Sequence, residues 1–366
     1  MLELENVSKQ VGAATHIRDV SLTLERGSLN VLLGPTLAGK TTLMRLMAGL
    51  DRPTAGSVRV DGRDVTGVSV RKRDVAMVYQ QFINYPALTV YENIASPMRL
   101  AGVDKATLDR KVREAAELLK LGDFLERTPL NLSGGQQQRT AIARALVKGA
   151  ELVLLDEPLA NLDYKLREEL RVELPRLFAE TGAVFVYATT EPQEALLLGG
   201  RTATLHEGAV TQFGETIEVY ERPRDLVTAQ TFADPPLNLA RVAKRGTELR
   251  YGERVLGHAD PALADGDYTL AFRPHHVALA ASASHRVAVP ATVGTSEITG
   301  SETFLHARAG DGEPGAEGAD WVALTHGVHR VAAGDTVTLH LDPDRHYLFG
   351  EDGALVQAPG ARAEAA

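Results

Sequence analysis

The first part of the chain, up to about residue 230, alternates short apolar runs with segments whose apolar residues recur every three or four positions. Short apolar runs are typical of buried strands, and the longer period is typical of helices. The runs that predict strands are 31–33, 152–155 and 184–187, and the segments that predict helices are 42–48 and 108–119. This alternation predicts an α/β domain, which we place at residues 1–232 with a helical subdomain at about 88–135.

The pattern changes near Asp234-Pro235-Pro236, where short β-like runs separated by turn-rich segments begin. The runs that predict these strands are 268–272, 287–289, 321–324 and 336–339. Several short strands with frequent turns predict a small all-β barrel, which we place at residues 233–352. The last residues are mostly small or charged, so we expect 353–366 to be a disordered tail.

Composition and charge exclude several classes of protein. The chain has 366 residues, enough for two domains, and its formal net charge of −9 argues against a protein that grips nucleic acid through the phosphates. It has no cysteine, so disulfides and thiolate metal sites are excluded. The N-terminus lacks the pattern of a signal peptide, and no apolar run approaches the ~18 residues that span a bilayer. We therefore expect a cytoplasmic protein that reaches a membrane only through partners.

A glycine-rich loop between a predicted strand and a predicted helix carries the first chemical signal. It matches the pattern G-x-x-x-x-G-K-[ST], in which backbone N–H groups at a helix N-terminus converge on phosphate oxygens. Lys40 is expected to reach the β- and γ-phosphates of ATP, and the Thr41 hydroxyl is expected to ligate Mg²⁺. The residues that we assign to ATP binding here are Gly34, Pro35, Thr36, Leu37, Ala38, Gly39, Lys40, Thr41 and Thr42.

Two carboxylates follow the apolar run 152–155. A buried strand that ends in Asp156 would bring this carboxylate to the Mg²⁺ ion beside the phosphates. Glu157 comes next and is the candidate that orients and polarises the attacking water. We therefore predict that Asp156 is a metal ligand and Glu157 the catalytic residue.

A third segment, Leu132-Ser133-Gly134-Gly135-Gln136, resembles the signature of ATP-binding-cassette ATPases. Two ATPase domains of that superfamily sandwich ATP, so the resemblance implies that Ser133, Gly134, Gly135 and Gln136 act on the ATP of a partner chain. It also implies that Gln80 contacts ATP and Mg²⁺ and senses a membrane partner. Asp163, in the segment 159–163, matches the loop through which the two domains communicate.

The resemblance covers nearly the whole chain. Residues up to about 230 resemble the ATPase subunits of bacterial carbohydrate importers, whose cassette has a mixed sheet and a helical subdomain. Segments 217–223, 272–274, 300–303 and 341–343 resemble parts of their C-terminal regulatory barrel. The particular sequence of the glycine-rich loop, residues 34–41, together with residues 44–51, is most similar to glycerol importers that use two different ATPase chains.

Such a resemblance implies ATP and Mg²⁺ as cofactors and two transmembrane permease subunits as partners. It further implies a second, different ATPase subunit and, indirectly, a periplasmic solute-binding protein, with no nucleic acid. The chain is then expected on the cytoplasmic side of the inner membrane, where it energises the import of a small carbohydrate or polyol, with glycerol favoured.

Two positions depart from the pattern of these ATPases. They place a histidine at a switch position after the third strand, where this chain has Thr190, whose hydroxyl lacks the charge and reach of an imidazole. They also stack adenine on an aromatic ring, where this chain has Val11; a slipped alignment would let His16 supply the ring. We therefore expect a weakened ATP site beside an intact signature, as in a heterodimer with one competent site.

Three alternatives remain open from the sequence. The chain could serve an importer of glycerol phosphate or another sugar with a homodimeric ATPase. It could be a soluble cassette protein that acts on ribosomes or DNA, although such proteins usually have tandem cassettes and basic surfaces. It could also be a regulatory binding module with a vestigial ATPase, because of Thr190.

Overall fold

The computed structural model describes residues 1–81, 83–160, 162–310 and 319–360, without the side chains of 177–180. The chain forms two compact units, Met1–Ile217 and Glu218–Ala366. This division precedes the boundary expected after residue 232. The reason is that the residues before it pack within the second unit: Ala229 joins a buried cluster with Phe349.

The strands and helices of the first unit follow the alternation expected from the sequence. The strands are β1 (Leu2–Val11), β2 (Ala14–Leu24), β3 (Leu29–Leu33), β4 (Ala55–Val60), β5 (Arg63–Asp64), β6 (Val75–Val78), β7 (Leu152–Asp156), β8 (Val184–Thr189), β9 (Arg201–His206) and β10 (Ala209–Glu215). The helices are α1 (Lys40–Ala48), α2 (Val90–Leu100), α3 (Lys105–Leu118), α4 (Gly134–Lys148), α5 (Tyr164–Thr181) and α6 (Pro192–Leu198); α7 (Thr216–Glu221) begins at the end of this unit and continues into the second. Short 3-10 helices cover Val70–Lys72, Gly122–Phe124 and Pro129–Asn131.

Two sheets enclose the core of the first unit. One has the order β10-β9-β3-β8-β7-β6 and is parallel except for β10; the other is antiparallel, with the order β2-β1-β4-β5. Buried aliphatic residues from both sheets and from α1, such as Leu4, Leu32 and Leu43, form one cluster. Because β3, β7 and β8 run parallel, their carboxyl ends lie at the same edge, which brings three distant sequence segments together.

Helices α2, α3 and α4 form the helical part of this unit, which extends beyond the expected 88–135 because α4 continues to Lys148. Each helix begins at a side-chain cap, supplied by Thr89, Asp104 and Ser133, that accepts from a backbone N–H of the first turn. Thr89 and Ser133 complete reciprocal capping boxes. The signature segment therefore lies at a fixed helix start.

The second unit is built mainly from strands. After α8 (Leu226–Thr231), the strands are β11 (Asn238–Arg245), β12 (Glu248–Tyr251), β13 (Arg254–His258), β14 (Gly266–Phe272), β15 (Val277–Ala278), β16 (Val287–Ile298), β17 (Glu302–Ala309), β18 (Ala319–His326), β19 (Thr336–Leu341), β20 (Tyr347–Phe349) and β21 (Leu355–Gln357). A 3-10 turn covers Pro274–His276. Two sheets, β13-β12-β11-β14-β20-β21 and β15-β19-β16-β17-β18, share one apolar core and form a near-closed β-barrel.

Side chains link the two sheets of the barrel. The buried amide of Asn238 in β11 donates to the carbonyl of Val322 in β18 (2.8 Å) and accepts from its N–H (2.6 Å). The buried Trp321 indole donates to the Leu239 carbonyl (2.9 Å) and packs edge-on against Phe272. These contacts satisfy polar groups that would otherwise be buried without partners.

The end of the chain is partly folded. The segment expected to be a disordered tail, 353–366, contains β21, which pairs with β20 through Leu355 opposite Phe349 and Gln357 opposite Leu348. Backbone pairing with an existing strand holds this segment although its composition is small and polar. Residues 361–366 lie outside the described part of the chain. Among the described helices, none combines the length and apolar character needed to cross a membrane.

Candidate nucleotide site

The glycine-rich loop connects β3 to α1 along a path that two glycines permit. Gly39 caps α1 with φ of 105°, in the left-handed region that favours glycine. A Cβ at Gly34 would lie 2.4 Å from the carbonyl oxygen of Leu205, so a larger residue cannot occupy this position. The loop therefore ends at the N-terminus of a nine-residue helix, where backbone N–H groups without intrahelical partners attract anions.

Lys40 lies under this loop and is 6% exposed. Its ammonium donates to the carbonyls of Gly34 (2.7 Å) and Pro35 (3.1 Å), and its Nζ lies 3.9 Å from Oε1 of Glu157. Burial lowers the pKa of Lys40, and the Glu157 and Asp156 carboxylates oppose this effect. The structure thus places the cation beside the two carboxylates that the sequence assigned to metal binding and catalysis.

The carboxylates contact the polar groups predicted to act with them. The Thr41 hydroxyl donates to Oδ2 of Asp156 (2.7 Å), and the Gln80 amide donates to Oε2 of Glu157 (2.8 Å). Burial raises the pKa of both carboxyls; Thr41 and Lys40 oppose the shift at Asp156, and Lys40 opposes it at Glu157. All four side chains therefore meet at the carboxyl ends of β3, β6 and β7.

The donor set fits Mg²⁺. This ion prefers oxygen ligands and is commonly held by one or two protein oxygens together with phosphate oxygens. Thr41 and Asp156 present adjacent oxygens beside the loop, and Gln80 contacts the neighbouring carboxylate of Glu157. When bound, Mg²⁺ would neutralise charge on the phosphates. No cluster of three or more His, Cys, Asp or Glu side chains suited to a metal occurs in the described part of the chain.

A cavity of about 590 Å³ opens above these residues. Its lining includes Thr36, Leu37, Ala38, Gly39, Lys40, Thr41, Thr42, Gln80, Glu157 and Thr190. Gly34, Pro35 and Asp156 are joined to it through their hydrogen bonds with Lys40 and Thr41. The predicted phosphate-binding, metal and switch residues thus surround one space.

The residues of the first two strands that line the cavity differ from those expected. Ala14, Thr15, His16 and Arg18 of β2 line it, whereas Val11, the position matched to the adenine-stacking aromatic, is not among the described lining residues. Val11 ends β1 before the turn into β2, and the lining therefore begins three residues later. His16 is the ring that the tertiary structure places at this wall.

The signature residues lie elsewhere on the unit. Ser133, Gly134, Gly135 and Gln136 form the start of α4 and are not part of the described cavity lining. The Ser133 hydroxyl accepts from the Gln136 N–H, and the Gln136 side chain accepts from the Ser133 N–H (2.8 Å). Asp163 caps α5 by accepting from the N–H of Leu166; Asn161, in the same loop, lies outside the described residues.

A buried ionic network beneath Thr190 was not predicted from the sequence. The Glu194 carboxylate accepts from the hydroxyls of Thr189 (2.6 Å) and Tyr187 (3.0 Å), and Arg171 pairs with it at 3.3 Å. Glu194 and Arg171 are 4% and 9% exposed. In the sequence, Glu194 and Arg171 are ordinary charges on two helices, so this pair could be found only from its burial.

Glu157 is held in an unusual backbone conformation. Its φ of 46° is left-handed for a residue with a side chain, which costs on the order of 1–3 kcal/mol. The Ala188 carbonyl accepts from its N–H (3.0 Å), and the buried Gln138 amide donates to its carbonyl (3.3 Å). Gln138, in α4, thereby connects the signature helix to Glu157 of the same chain.

Comparison with known proteins identifies the group to which this chain belongs. The family model for ABC transporters matches residues 17–160, and the TOBE domain model matches residues 270–349. The chain is 37% identical to the sn-glycerol-3-phosphate import ATP-binding protein UgpC of Salmonella typhi, over 97% of this chain and 99% of that protein. The chain belongs to the ABC transporter family. It is also 37% identical to the xylose/arabinose import ATP-binding protein XacK of Haloferax volcanii, over 96% of this chain and 94% of that one.

A solved ABC cassette shares the fold of the first unit. The dimeric structure of MJ0796 bound to ADP and Pi is 30% identical and has a TM-score of 0.54, covering 59% of this chain and 99% of that chain. The expected fold, an ABC nucleotide-binding domain followed by a small β-barrel, is confirmed, and the barrel is a TOBE domain.

Proposed function

We propose that this ABC protein binds and hydrolyses ATP to energise import of a solute across the cytoplasmic membrane. The observation that carries the proposal is the meeting of Lys40, the Thr41–Asp156 pair and the Gln80–Glu157 pair at one cavity. Lys40 would bind the β- and γ-phosphates, and Glu157 would accept a proton from the attacking water. A protein that only binds a regulator does not need this set.

The solute is proposed to be a glycerol phosphate or another sugar. Two relatives that match almost the whole chain are named for import of sn-glycerol-3-phosphate and of xylose or arabinose. These relatives support the phosphorylated-polyol or sugar alternative better than glycerol itself. They also favour an importer over a soluble cassette that acts on ribosomes or DNA.

The partners are proposed to be two permease subunits, reached on the cytoplasmic side of the membrane. A groove of about 450 Å³ between α2, α4 and β6 is a suitable contact surface. Leu100 and Tyr85 at this groove are 89% and 51% exposed, and Arg144 lies over the Tyr85 ring at 5.2 Å. Tyr85 lies five residues after Gln80, so a helix of the permease in this groove could act on the Gln80–Glu157 contact.

The cassette is proposed to act as a dimer, because each signature serves the ATP of the other chain. A homodimer is the first candidate, and the solved cassette MJ0796, which is 30% identical over 59% of this chain, is itself dimeric. An asymmetric pair with a different ATPase is the second candidate, supported by exposed Thr190 lining the cavity where a histidine is expected. A periplasmic solute-binding protein would deliver the solute from the other side.

Reconstitution of the native complex tests these proposals. The chain, its permease subunits and binding protein are placed in proteoliposomes, and ATP hydrolysis is measured with sn-glycerol 3-phosphate, xylose or glycerol. We expect stimulation by one of the first two solutes. A complex that contains only this ATPase supports the homodimer, and a second ATPase chain supports the asymmetric pair. Absence of membrane subunits from the purified complex would contradict the importer proposal.

A Gly135→Asp variant separates the two pairings. The new carboxylate would repel the γ-phosphate held by the opposite chain. In a homodimer, hydrolysis at both sites should fall by at least ~100-fold. In an asymmetric pair, only the site completed by this chain should lose activity. Gly122→Asp, at an exposed glycine with open space around its Cβ, is the matched control for an added carboxylate away from the signature.

A further inference from the structure

A second cavity lies wholly within the second unit. It encloses about 800 Å³ between the end of α7, the 3-10 turn Pro274–His276 and the loop that precedes β20. Its lining includes Tyr220, Arg273, His275, His276, Arg286 and Arg345. We call it the arginine cavity; it shares no residue with the nucleotide cavity.

Arg273 is a buried cation whose hydrogen bonds all go to neutral oxygens. It is 3% exposed and donates to the carbonyls of Tyr220 (2.9 Å) and Phe232 (3.2 Å) and to the Tyr347 hydroxyl (3.3 Å). The Tyr220 ring lies 3.7 Å from its Cζ. Its Nε is buried without a hydrogen-bond acceptor, and no described carboxylate lies within ion-pair distance. Buried charges are normally paired, so this guanidinium lacks a counter-charge.

The other charges of the arginine cavity leave this cation uncompensated. At its rim, Arg286 pairs with Asp344 at 2.7 Å, and the Nε of Arg345 lies 3.6 Å from Asp342. The lining as a whole contains four arginines and three carboxylates: Arg222, Arg273, Arg286 and Arg345 with Glu221, Asp342 and Asp344. Within each rim pair the two charges cancel. Two arginines, Arg222 and Arg273, then remain with one carboxylate, Glu221, so the lining keeps a net positive charge.

Two histidines in this cavity have lowered pKa values. Burial lowers the pKa of His275, and Arg273 and Arg345 lower it further. Burial, His275 and the same two arginines lower the pKa of His276 to about 3. Both rings are therefore neutral near pH 7, and Nδ1 of His276 is buried without a hydrogen-bond partner among the described residues. A dianion in the cavity would meet a cation without a described counter-charge and, in His275, a group that can take up a proton.

We propose that the arginine cavity binds a small organic phosphate, with its phosphate group against Arg273 and His275. A guanidinium matches the geometry of phosphate oxygens, and a phosphate monoester supplies the missing negative charge. The volume exceeds that of a bare phosphate ion, and the rim carboxylates can accept from hydroxyl groups of the organic part. The proposal does not depend on the nucleotide site or on the identity of the imported solute.

Calorimetry on the full chain tests the proposal. The Lys40→Ala background removes the main cation of the nucleotide site, and the probes are sn-glycerol 3-phosphate, inorganic phosphate and glycerol. We expect sn-glycerol 3-phosphate to bind, inorganic phosphate to bind more weakly and glycerol not to bind. Equal binding of the two phosphates would overturn the organic part of the proposal. No binding of either phosphate by the folded protein would overturn it entirely.

Rim variants keep the test independent of folding, because Arg273 itself supports the local structure. Arg345→Met removes a cation that is 64% exposed and should weaken binding at least ~10-fold. Asp344→Asn frees Arg286 and should tighten binding several-fold. Arg308→Met, at an exposed arginine 3.9 Å from Asp320, is the matched control and should change nothing. Unchanged affinity in both rim variants would contradict the assigned position.

Proton uptake gives a further readout. A bound dianion raises the pKa of His275 back toward its ordinary value, so binding should take up protons and tighten as pH falls from about 7.5 to 6.5, a range above the second pKa of a phosphate monoester, which is about 6. Calorimetry in two buffers of different ionisation enthalpy measures this uptake. A His275→Gln variant should abolish the proton uptake while retaining part of the affinity. Uptake that persists in this variant would contradict the role of His275.

Discussion

The nucleotide cavity and the arginine cavity each bury a cation, but they compensate its charge differently. In the nucleotide cavity the Lys40 ammonium lies 3.9 Å from Glu157, and Asp156 is close enough to affect its pKa. In the arginine cavity Arg273 is surrounded by carbonyl and tyrosine oxygens. A buried cation alone does not define a ligand site. The counter-charges supplied by the fold decide how much negative charge a ligand must bring.

The difference also concerns how the two cavities are built. The nucleotide cavity takes seven consecutive residues, Thr36–Thr42, from one loop and helix start. The arginine cavity collects its cations from four separate segments, at 222, 273, 286 and 345. A continuous loop can be recognised as a motif, whereas a dispersed set can be recognised only after folding.

Removal of the Lys40 ammonium should produce the largest effect. We expect Lys40→Ala to reduce nucleotide affinity by at least ~100-fold, because the phosphate charge then lacks its cationic side chain. Binding of a fluorescent ATP analogue measures this loss, with Lys105→Ala in α3 as the matched control. Phosphate binding at the arginine cavity should persist. Unchanged nucleotide affinity would contradict the assignment of the glycine-rich loop.

A large effect on stability is expected from Glu194→Gln. The neutral amide leaves the buried Arg171 with weaker compensation, although Glu168 and Glu191 still contact it, so we expect a loss of about 2 kcal/mol. The loss should appear in the far-UV circular dichroism transition. The single tryptophan, Trp321, lies in the second unit, and its fluorescence transition should not move. Glu114→Gln, in an exposed pair with Arg110, is the control. A shift of the tryptophan transition alone would contradict the expected location.

A moderate gain is expected from Thr190→His. The imidazole would add a polar contact to the γ-phosphate beside an otherwise complete set, so single-turnover hydrolysis should rise by about 10-fold. Thr190→Gln, with an amide that does not titrate near neutral pH, should give a smaller gain. If hydrolysis does not increase with histidine, Thr190 does not limit this site, and the asymmetric pair loses its main support.

The smallest effect is expected when the pH is lowered, and the two cavities should then respond in opposite directions. Burial raises the pKa of Glu157 above its ordinary value of 4.5, and a protonated carboxyl cannot accept a proton from water. Hydrolysis should therefore fall, as pH decreases, at a higher pH than an ordinary glutamate would give. Anion binding at the arginine cavity should change in the opposite direction and tighten. Single-turnover rates and calorimetry over the same pH range measure both; an acid limb at or below about pH 4.5 would contradict the role of Glu157.

Periodicity and motifs predicted much of the fold because they are local properties of the chain. The apolar runs at 31–33, 152–155 and 184–187 correspond to β3, β7 and β8. The strand–loop–helix context of Lys40 and the cap at Ser133 follow from residues only a few positions apart. The contacts Thr41–Asp156 and Gln80–Glu157 connect segments that had already been recognised as motifs.

Other features required the three-dimensional structure. His16, rather than Val11, lines the nucleotide cavity, because the turn between β1 and β2 sets which residues face it. β21 is folded because β20 offers it backbone partners, and its own composition gave no sign of this. Such outcomes depend on pairing with remote strands, which no local pattern encodes.

The sequence by itself determined the α/β cassette, the barrel that follows it and the phosphate-binding loop with its carboxylates. Only the tertiary structure decided that Glu194 and Arg171 form a buried pair beneath Thr190, and that Arg273 is buried with no carboxylate partner among the described residues. The physical reason is that burial and the distance between charges set electrostatic energies. Both quantities arise from packing between segments that are far apart in the chain.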